Sequence, residues 1–350
     1  MNTKSVILLL ALITLLSSTN AQDVKSDSIY QWKQNTKGYF GLTLNVKGKE
    51  TTILPYEYDI VKELNNNLYA VYSSTAYKFK WAFFHKRSLD FVTPFIYNSY
   101  EIIQDGYVAV QLSNFKWGIL DNNGLEICQP KFDKIRNASN GQRLALAQLD
   151  NKYGFITKEG HIAIPFEYDE TFGFLEENSP YTVVIKNKKC GVIDNEGKSI
   201  IPLKYDFLAF NKDFISNRIS ADTLMAGSNG GHGFIKIDET IIVPMVYDFL
   251  KWPSEGLIAA AKKGSKYGFI NFSNETVVPF IYEDVRPFSE GLAAVHNGSY
   301  WGFIDRKGEV VIPAKYDNVT NFDKGKSLVE QGEKSFYIDK KGRFLLKNKM

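Results

Sequence analysis

One spacing recurs down this chain and constrains its fold more than any other feature: a glycine is followed fourteen residues later by an aromatic. It joins Gly118 to Phe132, Gly154 to Tyr168, Gly191 to Tyr205, Gly233 to Tyr247, Gly268 to Tyr282 and Gly302 to Tyr316. From glycine to glycine the steps are 36, 37, 42, 35 and 34 residues, so length varies only outside the module. Rigid modules on variable connections are the mark of stacked repeats. The stretch "YWGFIDRKGEVVIPAKYD", Tyr300 to Asp317, shows the parts: an aromatic beside the glycine, a charged turn, an apolar run with a proline, then Tyr-Asp. The proline recurs as Pro165, Pro202, Pro244, Pro279 and Pro313. The closing pair recurs as Tyr168-Asp169, Tyr205-Asp206, Tyr247-Asp248 and Tyr316-Asp317. Degenerate copies begin at Tyr39 and Lys80, and a half copy, "SFYIDKKGRFLL", closes the chain.

Each module reads as a β-hairpin. Short β-branched and aromatic runs, Trp301 to Ile304 and Val310 to Ile312 among them, flank Asp-x-x-Gly turns at Asp121, Asp194, Asp305 and Asp339. The aspartate can bond its own turn backbone, and the glycine can take positive φ. Asn274 stands in the glycine place of one copy, the next best residue there. The proline is expected to end the second strand or to sit where no ladder hydrogen bond is needed. A further short strand precedes each aromatic-glycine pair, often after Glu-Gly, as at Glu255 and Glu290. Three or four strands per repeat and no helical period make the class all-β. The period is short for a four-stranded propeller blade, so an elongated, twisted array of hairpins is expected, with a closed propeller-like ring as the alternative.

These segments resemble the WG-repeat, or KWG-repeat, proteins. The resemblance rests on Trp117-Gly118, Tyr153-Gly154, Gly191, Gly233, Tyr267-Gly268 and Trp301-Gly302 followed by the Ile-Pro-x-x-Tyr-Asp element, and covers about residues 38 to 346. Tryptophan is kept only at Trp81, Trp117 and Trp301, Ala82 replaces one glycine, and Cys190 replaces an aromatic. The resemblance implies a bacterial, often exported or surface-associated protein and supplies no agreed catalytic residues. A residue type demanded by every repeat is expected to serve stacking, so the signature is read as architecture.

Residues 1–21 read as a secretory signal peptide: Lys4, an apolar stretch from Val6 through Leu16, then small polar residues ending at Ala21. Cleavage there would leave Gln22 first, with about eight repeats over 22–334 and a partial repeat and tail over 335–350. No later stretch is apolar and long enough for a spanning helix, so the mature chain is expected to have no membrane span. The expected location is periplasm, cell surface or medium. The formal charge of +3 falls to +2 without Lys4, and the lysines are interspersed with acids. That lacks the footprint of a nucleic-acid binder. Cys128 and Cys190 occupy different repeat positions, so a disulfide between them is not expected.

Candidate chemistry is sparse. The recurring aspartates do not cluster as calcium loops do, and His85, His161, His232 and His296 fall at four different repeat positions. The string "GSNGGHG" precedes a β run, where a phosphate loop needs a helix. "KGKS", Lys324 to Ser327, has Thr320 where a Walker loop needs its first glycine. No catalytic, metal or cofactor site is therefore expected. The function expected is non-catalytic binding or scaffolding of a protein or glycan at the cell envelope. The alternative is an enzyme acting on glycans or peptides through a site assembled across repeats. From aromatic to the next glycine (or Ala82) the connections measure 24, 21, 22, 23, 28, 21 and 20 residues. The longest, Tyr205 to Gly233, holds Phe210, Phe214, Arg218 and Met225, proposed as a contact loop because insertions in repeats gather on one face.

Overall fold

The computed structural model describes residues 28–136, 143–171, 173–174, 180–210, 223–255, 260–264 and 266–345. Among them are nine antiparallel sheets and no α-helix. Sheet 1 has three strands, Ser28–Gln34, Phe40–Val46 and Lys49–Tyr58. The other eight are four-stranded meanders: sheets 2 (60–91), 3 (99–132), 4 (134–168), 5 (170–205), 6 (207–247), 7 (249–282), 8 (284–316) and 9 (318–345). The chain divides into two compact units at Phe166, within the last strand of sheet 4. The half copy at the carboxyl end is not a separate fragment: Lys334–Asp339 and Phe344–Leu345 complete sheet 9 with Asn318–Val319 and Lys326–Gln331.

Sheet 8 shows how the sequence makes the module. Its strands are Asp284–Val285, Leu292–His296, Trp301–Asp305 and Val310–Tyr316. Between the third and fourth, the Asp305 carboxylate accepts the Lys307 and Glu309 N–H groups at 2.9 Å, and Gly308 takes φ +85°. Asp121, Asp194 and Asp339 make the same pair of bonds, and Asn271 does so through its amide oxygen. Asn274 holds the left-handed place at φ 60°.

Proline does not end the fourth strand. Pro313 lies inside Val310–Tyr316, within a bulge where Trp301 faces Tyr316 and Phe303 faces Ile312. One residue on the third strand is thus opposed by three on the fourth, and a residue without an N–H sits where no ladder bond is available. The bulged backbone runs over the glycine. A Cβ on Gly302 would meet the Ile312 carbonyl oxygen at 2.6 Å and the Ala314 nitrogen at 2.7 Å. The same encounter recurs at Gly118 with Cys128, at Gly191 with Ile201 and at Gly268 with Val278. Where Ala82 replaces the glycine the fourth strand is reduced to Asp90–Phe91 and an isolated Trp81–Tyr97 bridge.

Within each unit both faces of an inner strand are buried, because the sheets of that unit stack on one another. In the first unit, Val108 and Val110 of sheet 3 join Leu68, Ala70 and Phe83 of sheet 2. Ala109, between them, joins Ile135, Ala145 and Ala147 of sheet 4. In the second unit, Leu224 and Ala226 of sheet 6 pack with Val183 and Val192 of sheet 5, whereas Met225 turns to Leu250 and Ile270 of sheet 7. This is period-two alternation with a hydrophobic layer on each side. Cys128 and Cys190 are buried free thiols in these layers.

Candidate functional site

The Tyr-Asp pair lies at the joint between successive sheets. Sheet 5 ends at Tyr205 and sheet 6 begins at Phe207, leaving Asp206 as the whole connection. Asp59, Asp133, Asp169, Asp248, Glu283 and Asp317 are the corresponding single-residue links, and Asn98 takes the same place before sheet 3, where residues 92–98 separate the two sheets' strands. Each donates its N–H to a carbonyl at the end of the second strand of the next sheet, as Asp206 does to Gly227 and Asp317 to Glu330 at 2.8 and 2.9 Å. The carboxylate then holds the next turn: Asp206 accepts the Asn229 N–H at 2.9 Å, Asp169 that of Asn187 at 2.6 Å and Asp317 that of Gly332 at 2.6 Å. The lysine before the aromatic reaches the same residue from the sheet just completed. Lys116 pairs with Asp133, Lys189 with Asp206 and Lys266 with Glu283. These lysines are the leading cause that holds the Asp133, Asp206 and Glu283 carboxyls below their ordinary range. The aromatics are cross-strand partners: Trp117 faces Phe132, Tyr267 faces Tyr282 and Trp301 faces Tyr316. Tyr153 lies on the third strand of sheet 4, beside Gly154, over which the Ile164 carbonyl and Pro165 pass.

A second joint comes from Glu-Gly. Glu255 and Glu290 sit at φ 54° and accept the N–H of Gly291 and Gly325, one repeat on, at 3.0 and 2.9 Å. Arg306 and Lys340, in the following turns, pair with the same two carboxylates. Nothing in a single repeat signals these bonds, but the 35-residue recurrence of Glu-Gly could have.

Between sheets 5 and 6 the stack leaves a groove of about 520 Å³, lined by Lys204, Tyr205, Ser228, Asn229, Ile241, Pro244 and Met245. Glu239 occupies the turn place that glycine fills elsewhere, at φ 66°. Its Oε1 accepts the Tyr205 hydroxyl at 3.0 Å and the Lys204 ammonium at 2.5 Å. Burial first, and then this carboxylate, pushes the Tyr205 phenol up to about 12. The Lys204 charge is therefore neutralised within the wall, and the groove offers hydroxyl, amide and aliphatic surface. Among the described residues no three His, Cys, Asp or Glu side chains gather closely enough to hold a metal ion.

The family model for the WG-containing repeat matches residues 117–153, 153–190, 191–219, 233–267, 267–300 and 301–334, more than half of the chain. The chain belongs to the WG-repeat family. No curated protein sequence matches it. Among solved structures, a eukaryotic initiation factor is similar at 10% identity and TM-score 0.41 over 92% of this chain and 95% of that one. Apo AztD from Citrobacter koseri is similar at 13% identity and TM-score 0.34 over 83% and 92%. The dihydro-heme d1 dehydrogenase NirN is similar at 13% identity and TM-score 0.28 over 93% and 78%. Likeness this distant carries nothing about ligand or activity.

The long connection of this WG-repeat protein is divided by the structure. Phe210 ends the first strand of sheet 6 half-buried, and Phe214 and Arg218 lie outside the described residues. Met225 is not in a loop: it is buried in the second strand, Thr223–Ser228, opposite Ala209 and Phe234. Gly227 belongs to that strand as well, and only Asn229 and Gly230 make the turn. Pro202, Pro244 and Pro279 lie inside fourth strands, as Pro313 does. Among the described residues no helix is long and apolar enough to cross a membrane.

Proposed function

We propose that this WG-repeat protein is an exported, non-catalytic binding or scaffolding module that holds a protein or a glycan at the cell envelope. Export is supported by the apolar stretch from Val6 to Leu16 and the small residues that end at Ala21. The observation that carries binding is the groove between sheets 5 and 6. Its mixed lining suits a ligand recognised by hydroxyl and amide hydrogen bonds and by aliphatic contact. Ser228 and Asn229 supply the first, Ile241, Pro244 and Met245 the second, and because Lys204 is paired with Glu239 a neutral chain would cover no unpaired lysine charge there.

The test is an array of immobilised glycans and peptides probed with the wild-type protein and with Ser228→Trp/Ile241→Trp, which fills the groove. Hits lost in the variant, with an unchanged circular dichroism spectrum, support the groove. Hits that persist overturn it, and an array without hits overturns binding itself.

A further inference from the structure

The turn between the second and third strands passes through the left-handed region in most repeats. In sheets 4, 5, 6 and 9 the residues there are aspartate, asparagine, lysine or glycine: Asp150, Asn151, Asn187, Lys188, Asn229, Gly230 and Gly332. Sheets 2 and 3 differ. They place Phe79 and Phe115 there, at φ 65° and 64°, and the two side chains are 67% and 70% exposed. A bulky ring at positive φ is a backbone outlier, and two of them in successive repeats, both turned to water, have no packing reason. Among the described residues neither ring is in contact with another aromatic, whereas the neighbouring Tyr77 is stacked on Phe95 at 3.9 Å and 7°, which holds the first turn in place.

The two turns are tied together by a cation. Lys80 donates to Asn98 Oδ1 and, at 2.8 Å, to the Ser113 hydroxyl beside Phe115. At the other joints the residue corresponding to Asn98 is an acid, and lysines pair with it, as Lys116 does with Asp133, Lys189 with Asp206 and Lys266 with Glu283. With asparagine in that place the partners of the Lys80 charge among the described residues are neutral groups. Lys78, on the other side of Phe79, is exposed and also has no ion pair among the described residues. The nearby Asp59 carboxylate is turned to Ser74, whose N–H and hydroxyl donate to it at 2.6 and 2.8 Å.

We propose that these hairpin tips form a docking surface for an acidic, apolar peptide segment of a partner protein, Phe79 and Phe115 receiving aliphatic side chains and Lys78 and Lys80 a carboxylate between them. Phenyl rings without hydroxyls favour hydrocarbon contact, and uncompensated ammonium groups favour an acid at close range. This rests on the binding-module reading but uses a different surface, so the two can fail separately.

The probe is a fluorescein-labelled peptide alternating leucine and aspartate, with a leucine-lysine peptide as control and phosphatidylglycerol vesicles as a competing target. Expected is binding of the acidic peptide by the wild-type protein. Phe79→Ser/Phe115→Ser, and separately Lys80→Gln, should each weaken it at least tenfold with the circular dichroism spectrum unchanged. Binding unaffected by these changes overturns the surface, as does equal binding of the lysine peptide. Vesicle binding lost on the same substitutions, without peptide binding, overturns the peptide assignment. If the acidic peptide fails to bind while the array still gives hits, only this surface falls. If both are empty, the binding module falls with it.

Discussion

Trp301 and Tyr316 face each other across the last two strands of sheet 8, and three residues of bulged backbone between Ile312 and Tyr316 oppose the single Gly302. The fourteen-residue spacing is the length of chain needed to leave the glycine, turn at Asp305 to Gly308, and return over it through the bulge. A side chain at Gly302 would be pressed into the Ile312 carbonyl. Gly302→Ala is expected to destabilise by about 1–3 kcal/mol through overpacking, with Gly268→Ala comparable. Urea unfolding monitored by tryptophan fluorescence measures both, and a change within about 0.5 kcal/mol, typical of neutral surface substitutions, would show that the bulge can lift away freely.

Ala82 gives the converse test. Its sheet carries the shortened fourth strand, so Ala82→Gly is expected to let residues 92–97 close onto the third strand. Hydrogen exchange should slow at these amides. Unchanged exchange would place the cause of the break in residues 92–96 themselves.

The linking aspartates divide into two duties, accepting an N–H from the next turn and pairing with a lysine. Asp317 has Gly332 as its backbone donor, and Asn271 shows that an amide oxygen can accept turn N–H groups in this chain. Asp317→Asn should therefore leave the melting temperature nearly unchanged, and Asp317→Ala should lower it. Equal losses in a thermal melt would assign the joint to charge instead.

Stability should fall at both ends of the pH scale. The Asp133, Asp206 and Glu283 carboxyls are held low by lysines, so the unfolded chain takes up protons before the folded one. Their contribution is full above the ordinary carboxylate range near pH ~4 and is lost as pH falls from there through the lowered folded values. Tyr97, Tyr168 and Tyr205 are pushed up to about 12, chiefly by burial. Here the unfolded phenols ionise first, so stability falls as pH rises from about 10 toward the folded values. Denaturation midpoints across pH measure both limbs, and Tyr205→Phe should flatten the alkaline one.

Export predicts a mature chain beginning at Gln22. Mass spectrometry of material recovered from the envelope or medium checks this, and a chain retaining Met1 would remove the export argument.

The all-β class was legible because a fixed local geometry writes a fixed spacing: Asp305 and Gly308 announce their turn in four letters. The glycine's role was only half legible: its recurrence marks it as part of the architecture, but that the bulge around Pro313 runs over it does not show in the sequence. The proline looked like a strand end because a bulge three residues before the end has the same local composition. Met225 shows a related effect. In the sequence the connection from Tyr205 to Gly233 reads as one loop, although it crosses two strands of sheet 6 whose short apolar runs, Phe207–Phe210 and Thr223–Ser228, lie on either side of a polar stretch. The groove could not be read at all, because Lys204 and Glu239 meet only once two sheets are stacked.

The single-residue links have a consequence for how such a chain can change its number of repeats. A duplication or loss running from one link to the next joins Tyr-Asp to a new first strand through the same main-chain donor and the same turn. Every junction it creates is one the protein already knows how to make. An added residue at a link, in contrast, would displace the N–H that meets the Gly227 or Glu330 carbonyl and throw the following sheet out of phase. Growth by whole units is thus open to this architecture, and growth by single residues falls to the connections inside a sheet, where the second-to-third turn already runs from two residues in sheet 6 to six in sheet 2.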